Sequence, residues 1–155
     1  MHEIKHASGQ NFTLAEPDSR VINLEVSADK IVEFSLEQGA GRIFHTNHAI
    51  VNDDQSIYEE QMASGQPVPG SSSTVPRFEE LTKRLTNFDK QLSVKDVKAA
   101  FSSHVGPVCR HPDDGSNAIT LGCLIMELGQ EPTLHIAPGP PCETPFTVYR
   151  FGSDA

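Results

Sequence analysis

The sequence predicts an α+β fold made of antiparallel strands and two helices, and three observations support this class. Apolar and polar residues alternate through much of the first fifty positions, between short turns, as in an antiparallel meander. Apolar residues then recur at helical spacing between residues 78 and 101, and strand patterns return after residue 118. We expect four strands, two helices and three strands in a single domain that spans residues 1–155.

The predicted N-terminal strands are the segments QNFTLAE, VINLEVS, IVEFSLE and RIFHTNHAIV. In the second segment, Ile22, Leu24 and Val26 alternate with polar residues, which is the period-two pattern of a half-buried strand. Pro17 lies in the turn before it, where a φ of about −65° is favoured. These short turns predict antiparallel neighbours.

A polar loop from residue 52 to residue 75 separates these strands from two helical patterns. The apolar residues of each pattern share one helical face: Phe78, Leu81, Leu85 and Phe88, then Val94, Val97 and Phe101. Ser93 precedes the second pattern with Asp96 three residues later, which is a capping-box arrangement.

The last three predicted strands are AITLGCLIMEL, TLHIA and FTVYRF. The first of them is almost continuously apolar, so it should be covered on both faces. Two helices can cover only part of one face of a seven-stranded sheet. We therefore expect apolar surface to remain open unless a second polypeptide, or a second copy of the chain, covers it.

The charge of the chain excludes two classes of partner. Its formal net charge is −9, from 21 acidic and 12 basic residues. Nucleic acids and anionic membrane surfaces both attract basic segments, so neither is an expected partner. There is no run of about 18 apolar residues for a membrane span, and the N-terminus has no apolar signal-peptide core.

The three cysteines, Cys109, Cys123 and Cys142, are an odd number without metal-ligand spacing. We interpret them as reduced thiols of a cytoplasmic chain, and we expect no cofactor and no bound metal. Cys123 lies within an apolar strand pattern, which is typical of a small core residue. Cys142 lies in a proline-rich loop, where structural and reactive interpretations both stay open.

The segment His45-Thr46-Asn47-His48 holds the first candidate site. A metal site formed by His45 and His48 would require a helix, where residues i and i+3 share a face. The flanking apolar residues favour a strand instead, which points the two rings to opposite faces. On a strand, Asn47 could satisfy a turn or a ladder end, or its amide could donate to a developing oxyanion.

Arg77 is the second candidate. Thr74 and Pro76 predict a helix start that places Arg77 in the first turn. A cation there opposes the helix dipole at a cost of roughly 0.3–1 kcal/mol if exposed. Exposure to solvent, or pairing with Glu79 or Glu80, would be a purely structural explanation.

Several segments occur in an order that carries a family resemblance: ASGQNF, LEVS, HTNH, a Ser-rich loop into PRFEEL, HIAPGPPCE and YRF. In this order the chain resembles the isopenicillin-N acyltransferase-like family, which is related to penicillin V acylases and bile-salt (choloylglycine) hydrolases. The similarity runs from about Ala7 to Phe151, and HTNH and APGPPCE are its most specific parts. It implies the four-layer αββα sandwich of N-terminal-nucleophile hydrolases, of which this chain would be the C-terminal portion.

The resemblance also implies residue roles. Asn47 falls on the Asn of the family's Thr-Asn motif, which is expected to form part of the oxyanion hole or to orient the nucleophile. Arg77 falls on the active-site Arg that follows the Ser-rich loop. The family's nucleophile is a Cys freed by self-cleavage upstream of ASGQNF, whereas this sequence starts with Met1 and His2, which cannot take that role. We therefore expect the missing N-terminal half of the fold to be a partner.

Three functions stay open at the level of sequence. The chain could be part of an amidohydrolase or acyltransferase that acts on linear amide bonds of a small-molecule amide or acyl substrate. It could be a catalytically inactive fragment that folds as a homodimer. It could also be an unrelated small binding module. The resemblance leaves the acyl group and its acceptor open.

Overall fold

A computed structural model describes residues 9–17, 20–34, 42–53, 73–86, 92–112 and 118–151. These residues form three strands, then two helices, then three strands. The strands make two three-stranded antiparallel sheets, so the predicted α+β class is confirmed. The chain divides into two compact units, residues 1–78 and 79–155.

The first sheet follows the meander that the sequence predicts. Strands β1 (Gln10–Ala15), β2 (Val21–Val26) and β3 (Ile31–Phe34) pair in the order β1-β2-β3. Leu24, near the centre of β2, lies opposite Phe12 of β1. The central strand β2 therefore has a neighbour on each side, and both of its faces are available for packing.

The polar face of β2 is the more deeply buried one. Val26 of the predicted apolar face is fully buried, whereas Ile22 and Leu24 are only half-buried. On the opposite face, Asn23 and Glu25 are 1% and 0% exposed. Alternation located the strand correctly, but the structure encloses the polar face that such a pattern assigns to solvent.

The predicted fourth strand, RIFHTNHAIV, is wrong, because residues 42–53 form an irregular loop. The backbone N–H groups of Ile50, Val51 and Asn52 all donate to the side-chain carboxylate of Glu25. Successive N–H groups of a strand point in opposite directions, so three that converge on one carboxylate cannot belong to a sheet ladder. Contact with a buried acid, rather than local periodicity, sets the shape of this loop.

The first predicted helix forms as α1 (Thr74–Thr86), and it begins where Thr74 and Pro76 predict its start. Leu81 and Leu85 are buried, as their spacing indicates. Phe88 lies outside the described residues. This start places Thr74 and Arg77 on the first helical turn.

The second helix, α2 (Val94–Phe101), begins with the predicted capping box. The hydroxyl of Ser93 accepts a hydrogen bond from the Asp96 N–H at 3.3 Å. The Asp96 carboxylate accepts one in return from the Ser93 N–H at 2.9 Å. Neither helix in the described part of the chain is long and apolar enough to cross a membrane.

The second sheet contains β4 (Cys123–Glu127), β5 (Thr133–Ala137) and β6 (Thr147–Arg150) in the order β4-β5-β6. The long apolar pattern that begins at Ala118 yields a shorter strand than expected, because residues 118–122 lie outside the sheet. The predicted strand TLHIA is confirmed as β5.

The two faces of this sheet differ in cover. Cys123, Ile125 and Ala137 are buried, and partly buried residues of α2 and of the segment before β6 pack on them: Val94, Val97, Phe101 and Phe146. On the other face, Leu124 and Met126 are 60% and 63% exposed. Within the described residues, only one face of the apolar strand β4 is therefore well covered, and we call its other side the open sheet face.

Candidate functional site

A buried carboxylate organises the loop that carries the HTNH segment. Glu25 is fully buried and accepts hydrogen bonds from the N–H groups of Ile50, Val51 and Asn52 at 2.6, 2.9 and 2.7 Å. Its other partner is Nε2 of His45, at 2.6 Å. Burial alone would raise the pKa of Glu25, but the hydrogen bonds from His45 and the three backbone groups outweigh it and lower the pKa below 4.5.

His45 ties this carboxylate to the next residue of the loop. Its Nε2 faces Glu25, and its Nδ1 contacts the backbone carbonyl of Thr46. Both ring nitrogens thus face oxygen atoms, so the ring is fixed between β2 and its own loop. The Glu25–His45 pair is buried and hydrogen-bonded, so neither side chain is open to solvent as a free acid or base.

The hydroxyl of Thr74 joins the loop to the first turn of α1. It accepts hydrogen bonds from the N–H groups of Asn47 and His48 at 2.9 and 3.1 Å, and it donates to the Thr46 hydroxyl at 3.0 Å. The Thr46 hydroxyl donates to the Thr74 carbonyl at 3.1 Å. Both threonines are buried, so these bonds fix the backbone of Asn47 against the start of the helix.

The structure brings the two sequence-predicted site residues together. Nη2 of Arg77 donates to Oδ1 of Asn47 at 2.6 Å, although the residues lie 30 positions apart. Nε of Arg77 donates to the Ser73 carbonyl at 3.1 Å. Because Oδ1 of the exposed residue Asn47 is the acceptor, its Nδ2 group can serve as a donor to an incoming oxygen.

The Asn47 contact and the Ser73 carbonyl also explain why a cation is tolerated in the first turn of α1. The guanidinium of Arg77 donates hydrogen bonds to the side-chain oxygen of Asn47 and to the backbone carbonyl of Ser73. Glu80, one of the acids considered as its partner, pairs instead with Arg84. Arg77 is half-buried, which fits a positioning role better than simple exposure to solvent.

His48 is half-buried against the start of α1. Its Nδ1 is 2.9 Å from the Thr46 hydroxyl and 3.1 Å from the Thr74 hydroxyl, and its ring packs edge-on against Phe78. Burial, together with the nearby charges of His45 and Arg77, lowers the pKa of His48 below 6.5, against the opposing effect of Glu25. His48 therefore packs against the start of α1, while Asn47 is exposed.

The sequence analysis missed two members of this site, Glu25 and Thr74. Glu25 occupies a polar position of an alternating strand, and nothing in that local pattern separates a buried acid from an exposed one. Thr74 was considered only as part of a helix start. Both act through partners more than 20 residues away, which no local pattern reports.

A second group of reactive side chains lies in the other unit. Sγ of Cys109 is 3.3 Å from Sγ of Cys142, and Nε2 of His111 is 2.9 Å from the latter. With His104 these residues form a set of four ligand atoms that all lie within 4.8 Å of one another, and we call this set the Cys2His2 cluster. The spacing of the cysteines in the sequence did not indicate this set, because the fold brings together residues that are up to 38 positions apart.

Two cysteines that entered the search for a nucleophile have structural surroundings. Cys123 is buried in the small core beside α2, as its apolar strand pattern indicates. Desolvation and the neighbouring Cys109 thiol raise the pKa of Cys142 to about 11. A thiol that stays protonated at neutral pH is a poor nucleophile.

A comparison with protein families gives one match. The family model described as "Acyl-coenzyme A:6-aminopenicillanic acid acyl-transferase" matches residues 1–131. The match includes Asn47 and Arg77, and the segments HIAPGPPCE and YRF lie beyond it. No curated protein and no solved structure gives a significant match.

Proposed function

Because the chain belongs to the acyl-coenzyme A:6-aminopenicillanic acid acyl-transferase family, we propose that it forms part of an amidohydrolase or acyltransferase that acts on linear amide bonds. The family match supports an acyltransferase- or hydrolase-like function in general terms. The observation that carries the finer proposal is the hydrogen bond between Arg77 and Asn47, since it orients an exposed amide donor on a fixed backbone.

Asn47 is the proposed oxyanion donor. During acyl transfer the carbonyl oxygen of the substrate gains negative charge, and a pre-positioned N–H group stabilises it. Asn47 is held at two points. Thr74 accepts from its backbone N–H, and Arg77 donates to its side-chain Oδ1. Little reorganisation is then needed when the charge develops, which is the condition for effective oxyanion stabilisation.

Arg77 is the proposed positioning residue for Asn47. Its guanidinium fixes which end of the amide faces outward, and its positive charge favours an anion near Nδ2. A carboxylate product or a carboxylate-bearing acceptor would be drawn to the same place. The substrate class is therefore a small-molecule amide or acyl donor, and we propose no cofactor for the acyl-transfer step.

We propose that the nucleophile is an N-terminal Cys supplied from outside residues 1–155. The cysteines of this sequence, at positions 109, 123 and 142, all belong to the unit that does not contain Asn47. Their surroundings favour structural roles, as a core residue and as members of the Cys2His2 cluster. Their free thiols also agree with a cytoplasmic location, which we propose for this chain.

The open sheet face is the proposed contact for the other half of the fold. Its residues pair across the strands, Leu124 opposite Ile136 and Met126 opposite Leu134. Leu134, Ile136 and Tyr149 also line an apolar groove of about 250 Å³. A continuous apolar strip of this kind is expected to be covered by a partner, here the missing N-terminal half of an αββα sandwich.

A second candidate function rests on the same face. A second copy of the chain could cover it, which would make an inactive homodimer without any missing half. The open sheet face favours association with a partner half and with a second copy alike, so it does not distinguish the two candidate functions. The catalytic activity of the assembled protein distinguishes them.

The proposal is tested on the protein purified from its own cells through a tag on this chain, so that any partner polypeptide is retained. We expect turnover of a panel of linear amides or acyl-coenzyme A donors, and no turnover by the chain expressed alone. Asn47→Ala in the assembled protein should lower kcat by about 10²–10³-fold with a much smaller change in KM.

Asn47→Asp is the matched control for a purely structural role of Asn47. The carboxylate keeps an acceptor for Arg77, so the fold should be retained, but it removes the Nδ2 donor and should be at least as inactive as Asn47→Ala. An Asn47→Asp protein with full activity would contradict the oxyanion role. If the tagged protein contains only copies of this chain and turns over no substrate, the proposed enzyme function is wrong and the inactive homodimer is supported.

A further inference from the structure

The Cys2His2 cluster combines four side chains that belong to two loops of the second unit. His104, Cys109 and His111 follow α2, and Cys142 follows β5. Their ligand atoms lie within 4.8 Å of one another, with one thiol buried and one exposed. We infer that these four residues form a structural zinc site that joins the two loops.

The separations between the ligand atoms fit one tetrahedral ion. Zn²⁺ binds sulfur at about 2.3 Å and nitrogen at about 2.0–2.1 Å, which places tetrahedral ligand atoms roughly 3.4–3.8 Å apart. The measured separations are 3.3 Å between the two sulfurs, 3.9 Å from Cys109 Sγ to His111 Nε2, and 2.9 Å from that nitrogen to Cys142 Sγ. Shifts of less than about 1 Å would bring all three pairs to the ideal values.

The ligand set selects the ion and its role. Two thiols and two imidazoles suit Zn²⁺, whereas Mg²⁺ and Ca²⁺ prefer oxygen ligands. The compact arrangement of the ligand atoms favours a single ion over a multinuclear cluster. Four protein ligands leave no open position for water, so the site is structural rather than catalytic.

The carboxylate of Glu143 contacts the ring nitrogen of His111 that does not face the thiols. Nδ1 of His111 lies 3.4 Å from Oε1 of Glu143, while Nε2 of the same ring faces the thiols. Zinc-binding histidines commonly place the non-ligating nitrogen against a carboxylate, which fixes the tautomer and the ring orientation. Glu143 therefore occupies the position of an orienting residue.

Both loops are held by their own backbone, which would pre-position the ligands. The N–H of Cys109 donates to the Ser103 carbonyl at 2.8 Å, and Gly106 between them adopts a φ of 62°, which favours glycine. In the second loop the Thr144 N–H donates to the Pro140 carbonyl at 2.9 Å. The ligands thus lie on closed turns rather than on extended chain.

A zinc site would supply a cross-link where the core is small. In the second unit the buried apolar residues beside α2 are Cys123, Ile125 and Ala137. An ion held by Cys109 and Cys142 would join residues 33 positions apart, and small units commonly depend on metals or disulfides for stability. We therefore expect zinc to stabilise the fold rather than to take part in acyl transfer.

The test measures metal content and affinity on the full chain, purified with a thiol reductant. Zinc content by elemental analysis should be one ion per chain, and Co²⁺ should give the absorption bands of tetrahedral thiolate coordination. In a competition with a chromogenic chelator, Cys142→Ser should weaken zinc binding strongly. Glu143→Gln should weaken it about 10- to 100-fold, as expected for an orienting residue.

Cys123→Ala is the matched control, since it removes the third thiol of the chain without touching the cluster. Its zinc stoichiometry should equal that of the unchanged chain, and zinc should raise the Tm of both. Reduced protein that binds no zinc would overturn the inference, as would zinc that remains bound with unchanged affinity in Cys142→Ser. A Cys109–Cys142 disulfide in protein isolated without reductant, with no zinc bound after reduction, would show a redox pair instead and would also overturn it.

Discussion

At the residue scale, Glu25 has the largest influence on the candidate site. Its buried carboxylate holds three successive backbone N–H groups and the ring of His45, all within the loop that carries Asn47. Such a group is costly to bury alone and is stabilised only when its acceptor capacity is filled. The position of Asn47 therefore depends on an acid that is itself fully buried.

Replacing this acid should be severe. Glu25→Gln keeps the shape of the side chain, but it leaves His45 and at least one backbone N–H without a charged acceptor. We expect a loss of about 3–5 kcal/mol in the free energy of unfolding, measured by denaturant titration. Glu33→Gln on the neighbouring strand β3 is the control, because Glu33 is exposed, and it should change stability by less than about 0.5 kcal/mol.

The pH dependence of stability gives a second measurement of the same pair. The pKa of Glu25 is lowered from 4.5 in the folded chain, so the unfolded chain takes up the proton first as pH falls. Its stabilising contribution is complete above about pH 4.5 and is lost as pH falls through the lowered folded pKa. Glu25→Gln should lack this part of the acid slope, and an unchanged slope would contradict the assigned charge state.

At the element scale, the site depends on how the irregular loop 42–53 is attached to helix α1. The Thr74 hydroxyl accepts from the N–H groups of Asn47 and His48, and Arg77 one turn later holds the Asn47 side chain. One helical turn thus fixes both the backbone and the amide of the same residue. The start of α1 at Thr74 is what places these two groups on that turn.

Loss of this attachment should affect both stability and activity. Thr74→Ala leaves the part-buried N–H groups of Asn47 and His48 without their acceptor, and we expect it to cost about 1–3 kcal/mol in the free energy of unfolding. In the assembled protein it should also lower kcat, since Asn47 is no longer fixed. Thr74→Ser keeps the hydroxyl and should retain most of both properties. Equal losses in the Ser and Ala variants would show that the methyl group, and not the hydrogen bonds, is what matters.

At the scale of the whole molecule, the open sheet face predicts association. Leu124 and Met126 are 60% and 63% exposed on an otherwise apolar surface, and at about 25 cal/mol per Å² even a few hundred Å² of such surface represents several kcal/mol. We expect light scattering at micromolar concentration to show that the chain alone is larger than its 16.9 kDa monomer. Leu124→Lys with Met126→Lys should shift it toward the monomer.

Leu14→Lys is the control for that measurement. Leu14 is 46% exposed on β1, which belongs to the other unit, so Leu14→Lys adds the same kind of charge without changing a residue of the open sheet face. Its oligomeric state should not change. A clean monomer of the unmodified chain that binds no dye for exposed apolar surface would contradict a role of this face in association.

Local patterns in the sequence determined most of the secondary structure. Alternation located β1, β2 and β3, helical spacing located α1 and α2, and the pair Ser93–Asp96 identified a capping box that the structure contains. These features arise from contacts between residues a few positions apart, which is the range that periodicity reports. Ordered motifs also identified the family, and with it Asn47 and Arg77 as candidate residues. The single domain over residues 1–155 and the αββα sandwich stay predictions.

The tertiary structure decided the rest, because the remaining features depend on partners that are distant in the sequence. The burial of Glu25 turned an expected fourth strand into a loop, since its carboxylate draws N–H groups from 25 to 27 positions away. Folding likewise brings Arg77 to Asn47, 30 positions away, and Cys109 to Cys142, 33 positions away. A polar side chain has the same local pattern whether it meets solvent or a remote partner, so only the folded chain reveals which of the two satisfies it.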